Sequence, residues 1–173
     1  VEVEQVRQLV AGGVTVSLGH SNCTAETAQR YFAVGAHMVT HLFNAMSGIS
    51  ARNPGLAAAA LNSPKVSAGI IADGFHVAPE TIKLALSVSR GPGRVFLVSD
   101  AMPVVGSDAE LFELSGKKVF REDGKLIFED GGLAGADLCL AQAIRYMHQK
   151  VGVASETALR MATFNPASTA GIK

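Results

Sequence analysis

Polar side chains able to do chemistry follow four apolar runs of this 173-residue sequence. His20, His41 and Asp100 each come soon after such a run, and Asp73 and His76 follow another. The carboxyl ends of parallel strands meet at one edge of a sheet, so these side chains should gather there. Two neutral imidazoles facing a common point are good ligands for Zn²⁺ or Fe²⁺. The spacing also allows His20 and His41 to be hydrogen-bonded residues at strand ends.

Asp100 offers a second kind of chemistry beside a metal. A carboxylate in that position can accept a proton from an activated water and later donate it to a leaving group. An aspartate that caps the following turn is an equally good interpretation of Asp100 from the sequence. Two histidines are too few for a metal site, so a further ligand has to come from Asp100 or from outside this sequence.

Two cationic or nearly cationic residues, Arg52 and His76, lie on loops predicted at the same face. An anionic group such as a phosphate binds well to such residues, and arginine binds it with two parallel hydrogen bonds. Asn44 adds an amide that could orient a sugar hydroxyl or a phosphate. A lone loop arginine is more often simply solvated, and that alternative stays open for Arg52.

Composition excludes several classes of protein. The chain is 48% hydrophobic with a formal net charge of zero, which argues against a disordered or polybasic chain and predicts no nucleic-acid or membrane-surface partner. No apolar run approaches the roughly 20 residues that span a bilayer. The first residues have neither the basic start nor the apolar middle of a signal peptide, so we expect none. Cys23 and Cys139 are far apart in sequence, so we expect reduced thiols and a cytoplasmic location.

Apolar periodicity and turn residues predict alternating strands and helices. The predicted strands cover residues 14–18, 37–42, 65–72 and 94–98. The predicted helices cover residues 4–11, 25–34, 56–61, 79–89, 136–151 and 155–164. Gly91-Pro92-Gly93 predicts a turn, and residues 111–129 predict a β-hairpin that turns at Asp123-Gly124.

This alternation predicts an α/β fold with a parallel sheet and helices outside it. A small doubly wound domain and part of an eight-fold barrel both fit four such units. A doubly wound domain usually binds its ligand with one glycine-rich loop, and the sequence has neither a GxGxxG motif nor a P-loop. Polar residues at several strand ends are typical of a TIM (β/α)8 barrel. We therefore expect a partial barrel, with about half of it outside this sequence.

Six segments resemble the N-acetylglucosamine-6-phosphate deacetylase family of the amidohydrolase superfamily. The motif HLFNAM after GHSN is the most specific part of the resemblance, which runs in the same order across nearly the whole chain. The segments are residues 17–22, 40–46, 53–56, 69–76, 97–101 and 160–163.

The resemblance implies about the second half of a metal-dependent TIM barrel, with a β-hairpin insertion after the last barrel strand. The first half of the barrel and a small β-sandwich domain would then lie outside the sequence. The implied reaction is hydrolysis of the N-acetyl group of N-acetylglucosamine 6-phosphate, by a homodimer that uses a divalent metal, with Zn preferred and Fe possible. Alternatives are another amidohydrolase, such as a dihydroorotase-like enzyme or an amino-acid deacetylase, and a non-catalytic barrel that binds an amino-sugar phosphate.

The resemblance also assigns roles to individual residues. His20 and His41 match the two histidine metal ligands, and Asp100 matches the catalytic aspartate. The family's glutamate ligand would precede Val1, so we expect the 173-residue chain alone to be inactive. Arg52 and His76 match the residues that hold the 6-phosphate, one of them across a dimer interface in the family. The matching substrate-binding residues are Asn44, Ala45, Arg52, His76, Leu133, Ala134 and Gly135.

Overall fold

Four short parallel strands form the sheet that positions the candidate site. The structure is a computed structural model that describes residues 1–89 and 95–172, so the predicted Gly91-Pro92-Gly93 turn and the first residue of the fourth predicted strand lie outside the described residues. The strands are β1 (Ser17–Leu18), β2 (Met38–Val39), β3 (Ser67–Ile71) and β4 (Val95–Val98). The first three are shorter than predicted.

The strands lie in the order β1-β2-β3-β4, so each one pairs with its predecessor in the chain. A doubly wound sheet reverses its strand order at a switch point. The described strands show no such reversal. This part of the fold therefore lacks the ligand crevice that a doubly wound sheet forms at its switch point.

Helices connect the strands and cover the sheet. They are α1 (Val3–Ala11), α2 (Ala25–Ala33), α3 (Leu56–Asn62) and α4 (Pro79–Val88). Thr24 caps α2 by accepting a hydrogen bond from the Thr27 N–H at 3.2 Å, as its position predicts. Pro79 is the first residue of α4, where its missing N–H costs nothing. No helix among the described residues has the length and hydropathy needed to cross a membrane.

Two apolar clusters hold the helices against the sheet. Ile70, Ile71 and Leu97 from the central strands are buried with Met147 and Met161 from the later helices. A second cluster surrounds β2 and α3, and its largest buried members are Val39, Leu42 and Leu56. Packing against the helices therefore holds β2, β3 and β4 in place.

A small antiparallel sheet follows β4. Its strands are β5 (Leu111–Leu114), β6 (Lys117–Glu122) and β7 (Lys125–Phe128). Asp123 and Gly124 connect β6 to β7 with positive φ angles of 49° and 76°, as a two-residue hairpin turn requires. The predicted hairpin strands are present, and β5 adds a third strand beside β6.

The predicted helix over residues 136–151 is wrong at its start and irregular at its end. The structure has α5 (Leu140–Tyr146) followed by a π-helix (Met147–Val151). Ala136 instead donates its N–H to the Asp100 carbonyl at 2.9 Å and accepts from the Met102 N–H at 3.2 Å. These contacts with the segment after β4 hold residue 136 in an extended conformation, and a tertiary contact overrides local helix preference.

The end of the chain also differs from the prediction. We expected one helix closed by Asn165-Pro166, but the structure has α6 (Ser155–Ala162) and then α7 (Phe164–Thr169). Pro166 is the third residue of α7, where no intrahelical N–H donor is needed. The buried Asn165 side chain donates to the Val95 carbonyl at 3.2 Å, which ties α7 to the start of β4.

Candidate active site

An ionisable side chain stands two positions after the end of each parallel strand. These residues are His20 after β1, His41 after β2, Asp73 after β3 and Asp100 after β4. Leu18 of β1 lies opposite Val39 of β2, so the two histidines that follow are level with each other. The repeated spacing places all four residues at the carboxyl-terminal edge of the sheet.

His20 and His41 bring their Nε2 atoms to 2.8 Å from each other. The ring centroids are 4.7 Å apart and the ring planes are inclined by 66°. His41 is 4% exposed, whereas His20 is open to solvent. Two nitrogen lone pairs repel each other at this distance unless a proton or a cation lies between them. The pair is therefore suited to share either a proton or a metal ion.

These histidines fit a divalent transition metal in donor type, but they do not complete its ligand set. Within residues 1–89 and 95–172, no cluster of three or more histidine, cysteine or acidic side chains could hold a metal. A catalytic zinc site uses three protein ligands. Nδ1 of His41 is buried without a hydrogen-bond partner in the described part of the chain. In most metal-binding histidines, the ring nitrogen that does not bind the metal donates its N–H to a neighbouring group.

The backbone is strained at the same positions. His20, His41 and Asp100 have positive φ angles of 45°, 28° and 49°. Phe43 and Ala45, in the loop after β2, have φ angles of 77° and 47°. Each such conformation costs of the order of 1–3 kcal/mol and persists only where the surroundings impose it. The strained residues thus lie at the strand ends where the candidate catalytic and metal-binding side chains are found.

Asn44 and Ala45 form a tight turn directly after His41. The Asn44 N–H donates to the His41 carbonyl at 2.9 Å, and the Asn44 amide nitrogen donates to the Leu42 carbonyl at 3.3 Å. Asn44 is half-buried and Ala45 is exposed. The turn thus keeps both candidate substrate contacts next to the histidine pair.

The loop that carries Arg52 is anchored at its base and open at its tip. The Ser47 hydroxyl donates to the Cys23 carbonyl at 2.6 Å and accepts from the Leu56 N–H at 2.8 Å. Arg52 is exposed, and none of the described residues forms a hydrogen bond or an ion pair with it. The structure therefore leaves its guanidinium available at the surface, without a described contact to the histidine pair.

His76 is held by Asp73. Nδ1 of His76 lies 2.6 Å from Oδ2 of Asp73, and the two side chains are only 6% and 8% exposed. Oδ1 of Asp73 accepts from the N–H groups of Phe75 and His76 at 2.8 and 2.9 Å. Burial alone raises the pKa of Asp73, but the hydrogen bonds from His76 and Phe75 favour the carboxylate more strongly and lower the pKa below its usual value.

The predicted substrate loop lies between Asp100 and the small sheet. A Cβ added to Gly135 would meet the Met102 Cε at 2.5 Å and the Asp100 carbonyl oxygen at 3.1 Å. Ala134 is buried, and its N–H donates to the Leu126 carbonyl at 2.9 Å, so its side chain packs into the small sheet. Leu133 is exposed and borders a cavity of about 470 Å³ that Gly74 and Phe75 also line. The loop thus joins the surroundings of Asp100 to those of His76.

The sequence profile of the amidohydrolase family matches residues 6–173. This chain belongs to the amidohydrolase family.

Curated relatives of this amidohydrolase include deacetylases of both amino-sugar phosphates. It is 42% identical over 164 residues to the N-acetylgalactosamine-6-phosphate deacetylase of Shewanella sp. strain ANA-3, covering 95% of this chain and 41% of the relative. It is 34% identical over 171 residues to the N-acetylglucosamine-6-phosphate deacetylase of Vibrio furnissii, covering 99% of this chain and 42% of that relative. The resemblance seen in the motifs is confirmed.

Solved structures agree with the sequence matches. The crystal structure of N-acetylglucosamine-6-phosphate deacetylase from Pasteurella multocida superimposes with a TM-score of 0.94 at 37% identity, covering 98% of this chain and 44% of that one. The predicted α/β class is confirmed by this match. The amidohydrolase chain spans less than half the length of these relatives.

Asp73 is the site residue to which the sequence analysis gave no role. Its signal was present in the repeated spacing, since Asp73 stands two positions after β3 as His20, His41 and Asp100 stand after their strands. The strand ends had to be known to within one residue before that spacing could be recognised. The pairing with His76 depends on the turn through Gly74, which has a φ of 88°.

Proposed function

We propose that this amidohydrolase contributes the active site of a metal-dependent deacetylase that converts N-acetylglucosamine 6-phosphate into glucosamine 6-phosphate and acetate. The observation that carries the proposal is the Nε2–Nε2 pair of His20 and His41 at 2.8 Å. That pair lies at the end of a parallel sheet that matches a deacetylase structure across 98% of this chain. The consecutive order β1-β2-β3-β4 supports a further proposal, that the sheet is an arc of a (β/α)8 barrel.

Enzymes of the amidohydrolase family generally use a divalent metal. His20 and His41 would hold it, and their imidazole donors suit Zn²⁺ first and Fe²⁺ second. When bound, the metal supplies a water of lowered pKa and polarises the carbonyl that is attacked. Asp100 accepts the proton of the attacking water and returns it to the amine that leaves. Asp100 stands two positions after β4 with a φ of 49°, and this place at the strand end supports the role.

The remaining site residues bind the sugar and its phosphate. Asn44 and Ala45 contact the sugar beside the histidine pair, and the loop of Leu133, Ala134 and Gly135 covers it. Arg52 and His76 hold the 6-phosphate, where binding energy positions the amide for attack. Arg52 lies on an exposed loop without a described partner, which supports its action across the interface of a homodimer. The two cysteines are free, which fits the reducing cytoplasm.

A second candidate substrate is N-acetylgalactosamine 6-phosphate. The relative that is 42% identical to this chain is a deacetylase of that sugar. The two substrates differ in the orientation of one hydroxyl group. A site that hydrogen-bonds a hydroxyl can discriminate strongly against a substrate that leaves the bonding group unpaired.

Acetate release by the intact enzyme tests the proposed function. We expect hydrolysis of the two 6-phosphates, with the ratio of their kcat/KM values deciding between them, and a far lower kcat/KM for N-acetylglucosamine without the phosphate. Hydrolysis that ignores the phosphate would favour another amidohydrolase, such as a dihydroorotase-like enzyme or an amino-acid deacetylase. Tight binding of the sugar phosphate without acetate release would favour a non-catalytic binding barrel.

A further inference from the structure

We propose that Asp73 is a positioning residue that fixes both the tautomer and the orientation of the His76 imidazole. The substrate part of this inference rests on the proposed function, in which His76 binds the phosphate. The structural part rests on the contacts of Asp73 alone and can be tested without any substrate.

The hydrogen bonds of Asp73 determine which nitrogen of His76 carries a proton. An ionised carboxylate only accepts hydrogen bonds. Oδ1 of Asp73 already accepts from the backbone N–H groups of Phe75 and His76, and Oδ2 lies 2.6 Å from Nδ1 of His76. Nδ1 must therefore donate, and the proton of the neutral ring is on Nδ1 rather than on Nε2.

The turn that carries this pair packs against Tyr146 and has a second contact at Phe75. A Cβ added to Gly74 would meet the Tyr146 ring at 2.9 Å, so the turn lies directly against that ring. The Lys125 ammonium lies 5.1 Å from the centroid of the Phe75 ring, in the same turn. With the Asp73 and His76 side chains 8% and 6% exposed, the imidazole has little freedom to rotate. Preorganisation of this kind lowers the entropy lost when a ligand binds.

The arrangement leaves Nε2 of His76 for the substrate. Among residues 1–89 and 95–172, no group forms a hydrogen bond with that nitrogen. Nε2 can donate to a phosphate oxygen when the ring is an imidazolium with both nitrogens protonated. The Asp73 carboxylate balances the resulting charge, and a charge-assisted hydrogen bond is roughly twice as strong as a neutral one. Asp73 thus acts on the substrate through His76.

The decisive substitution is Asp73→Asn. The side-chain oxygen of asparagine can still accept from the two backbone N–H groups, but the amide NH₂ then faces Nδ1 of His76 and needs an acceptor there. The neutral imidazole must move its proton from Nδ1 to Nε2. ¹⁵N NMR of the histidine side chains shows which ring nitrogen of His76 carries the proton. The His76 signals are assigned by their loss in His76→Gln. Glu4→Gln is the matched control, since it removes the acid of another i,i+3 pair, on α1, whose Arg7 and Glu4 side chains are 60% and 65% exposed.

Two NMR results decide the structural part. We expect a protonated Nδ1 on neutral His76 in the unsubstituted protein, and a protonated Nε2 in Asp73→Asn, with no change in Glu4→Gln. A neutral His76 that carries its proton on Nε2 and not on Nδ1 in the unsubstituted protein would overturn the proposal even if Asp73→Asn fails to fold. So would an unchanged tautomer in a folded Asp73→Asn protein.

Kinetics of the intact enzyme test the link to the substrate. We expect Asp73→Asn to raise KM for the phosphorylated sugar roughly tenfold while kcat changes less than about threefold, as the loss of a hydrogen bond to a charged group predicts. Adding Asp73→Asn to His76→Gln should cost nothing further, because both changes break one unit. Additive losses, or a fall in kcat alone, would contradict the positioning role. If the proposed function is itself wrong, the unsubstituted enzyme releases no acetate, and the NMR result still stands.

Discussion

His20, His41 and Asp100 share a positive φ angle, which residues other than glycine seldom adopt, although histidine, aspartate and asparagine adopt it more often than most. Among the described residues other than glycine, seven have positive φ angles, and five of them lie just after parallel strands. The other two, Ser115 and Asp123, lie in turns of the antiparallel sheet, where such angles are ordinary. At the residue scale, the candidate site is therefore marked by strain as well as by side-chain chemistry.

Replacement of Asp100 by asparagine should remove catalysis and keep binding. Asparagine preserves the shape of the side chain but cannot accept and return a proton, and general acid–base catalysis contributes about 10²–10⁴-fold. We expect kcat for acetate release by the intact enzyme to fall by at least about 100-fold, with the Kd of the sugar phosphate measured by calorimetry nearly unchanged. Equal losses in Asp100→Asn and in the control Asp108→Asn, on an exposed loop, would contradict the role of Asp100.

Asp73 should make the stability of the protein depend on pH in the acid range. Its pKa in the folded protein lies below the usual value of 3.8, so the carboxylate stabilises the fold. That contribution is fully present above pH 3.8 and is lost as the pH falls through the lower, folded-state pKa. We therefore expect the free energy of unfolding of Asp73→Asn to lie below that of the unsubstituted protein at pH 7, and the gap to narrow below pH 3.8.

Denaturant unfolding at a series of pH values measures this gap. Glu4→Gln serves as the control, because an exposed ion pair such as Glu4–Arg7 contributes little to stability. A gap between Asp73→Asn and the unsubstituted protein that stays constant down to pH 2.5 would show that the carboxylate charge plays no part.

At the scale of elements, the segment after β7 connects the small sheet to the parallel sheet. Leu133 pairs with Ile127 of β7, and Ala136 pairs with Ala101 just after β4. Arg121 of β6 reinforces the connection through an ion pair with Asp137, in which Nε and Oδ2 are 3.0 Å apart. The position of Asp100 thus depends on the small sheet as well as on its own strand.

Gly135 is the point in this connection that tolerates a side chain least. It has a φ of 70°, and a Cβ would press on the Met102 side chain and the Asp100 carbonyl. Gly131 has a φ of 82°, but a Cβ there would meet no atom within 4 Å. Alanine at either position meets the backbone penalty of about 1 kcal/mol, whereas Gly135→Ala adds a steric clash.

We expect Gly135→Ala to lower the free energy of unfolding by about 1–3 kcal/mol more than the backbone penalty alone, since overpacking typically costs that much. It should also reduce kcat in the intact enzyme, whereas Gly131→Ala should leave kcat unchanged. Denaturant unfolding and acetate release measure the two effects. Similar stability losses in both variants would show that Met102 and Asp100 do not confine Gly135.

At the scale of the whole molecule, the relatives are more than twice as long as this chain, which covers 41% and 42% of two of them. The described residues supply two histidine donors and no cluster of three metal-ligating side chains. The catalytic unit we propose therefore needs at least one ligand besides His20 and His41.

The 173-residue chain by itself should be inactive and should bind metal weakly. Two imidazoles hold zinc less tightly than a complete set of three or four protein ligands. Metal analysis after dialysis, together with acetate release, compares this chain with the intact enzyme. In the intact enzyme we expect at least about one metal ion per chain. Its activity should be lost on chelation and restored by Zn²⁺. Full activity and full metal content in the isolated chain would overturn the expectation.

Local features of the fold could be predicted from the sequence because nearby residues determine them. Thr24 and Pro79 begin helices through their own side chains, and Asp123-Gly124 forms its turn through backbone preference. The identity of the polar residues after each apolar run also came from sequence, and with it the expectation that His20 and His41 would meet.

Other features depend on contacts between residues far apart in the chain, and only the tertiary structure decided them. Residue 136 is extended because it pairs with the segment after β4, and α7 is tied to β4 by the hydrogen bond from Asn165 to Val95. The 2.8 Å approach of His20 and His41 follows from the register of β1 and β2. By itself the sequence determined which residues could do chemistry; the packing of strands and turns decided which of them meet, because register and turn geometry depend on the whole sheet.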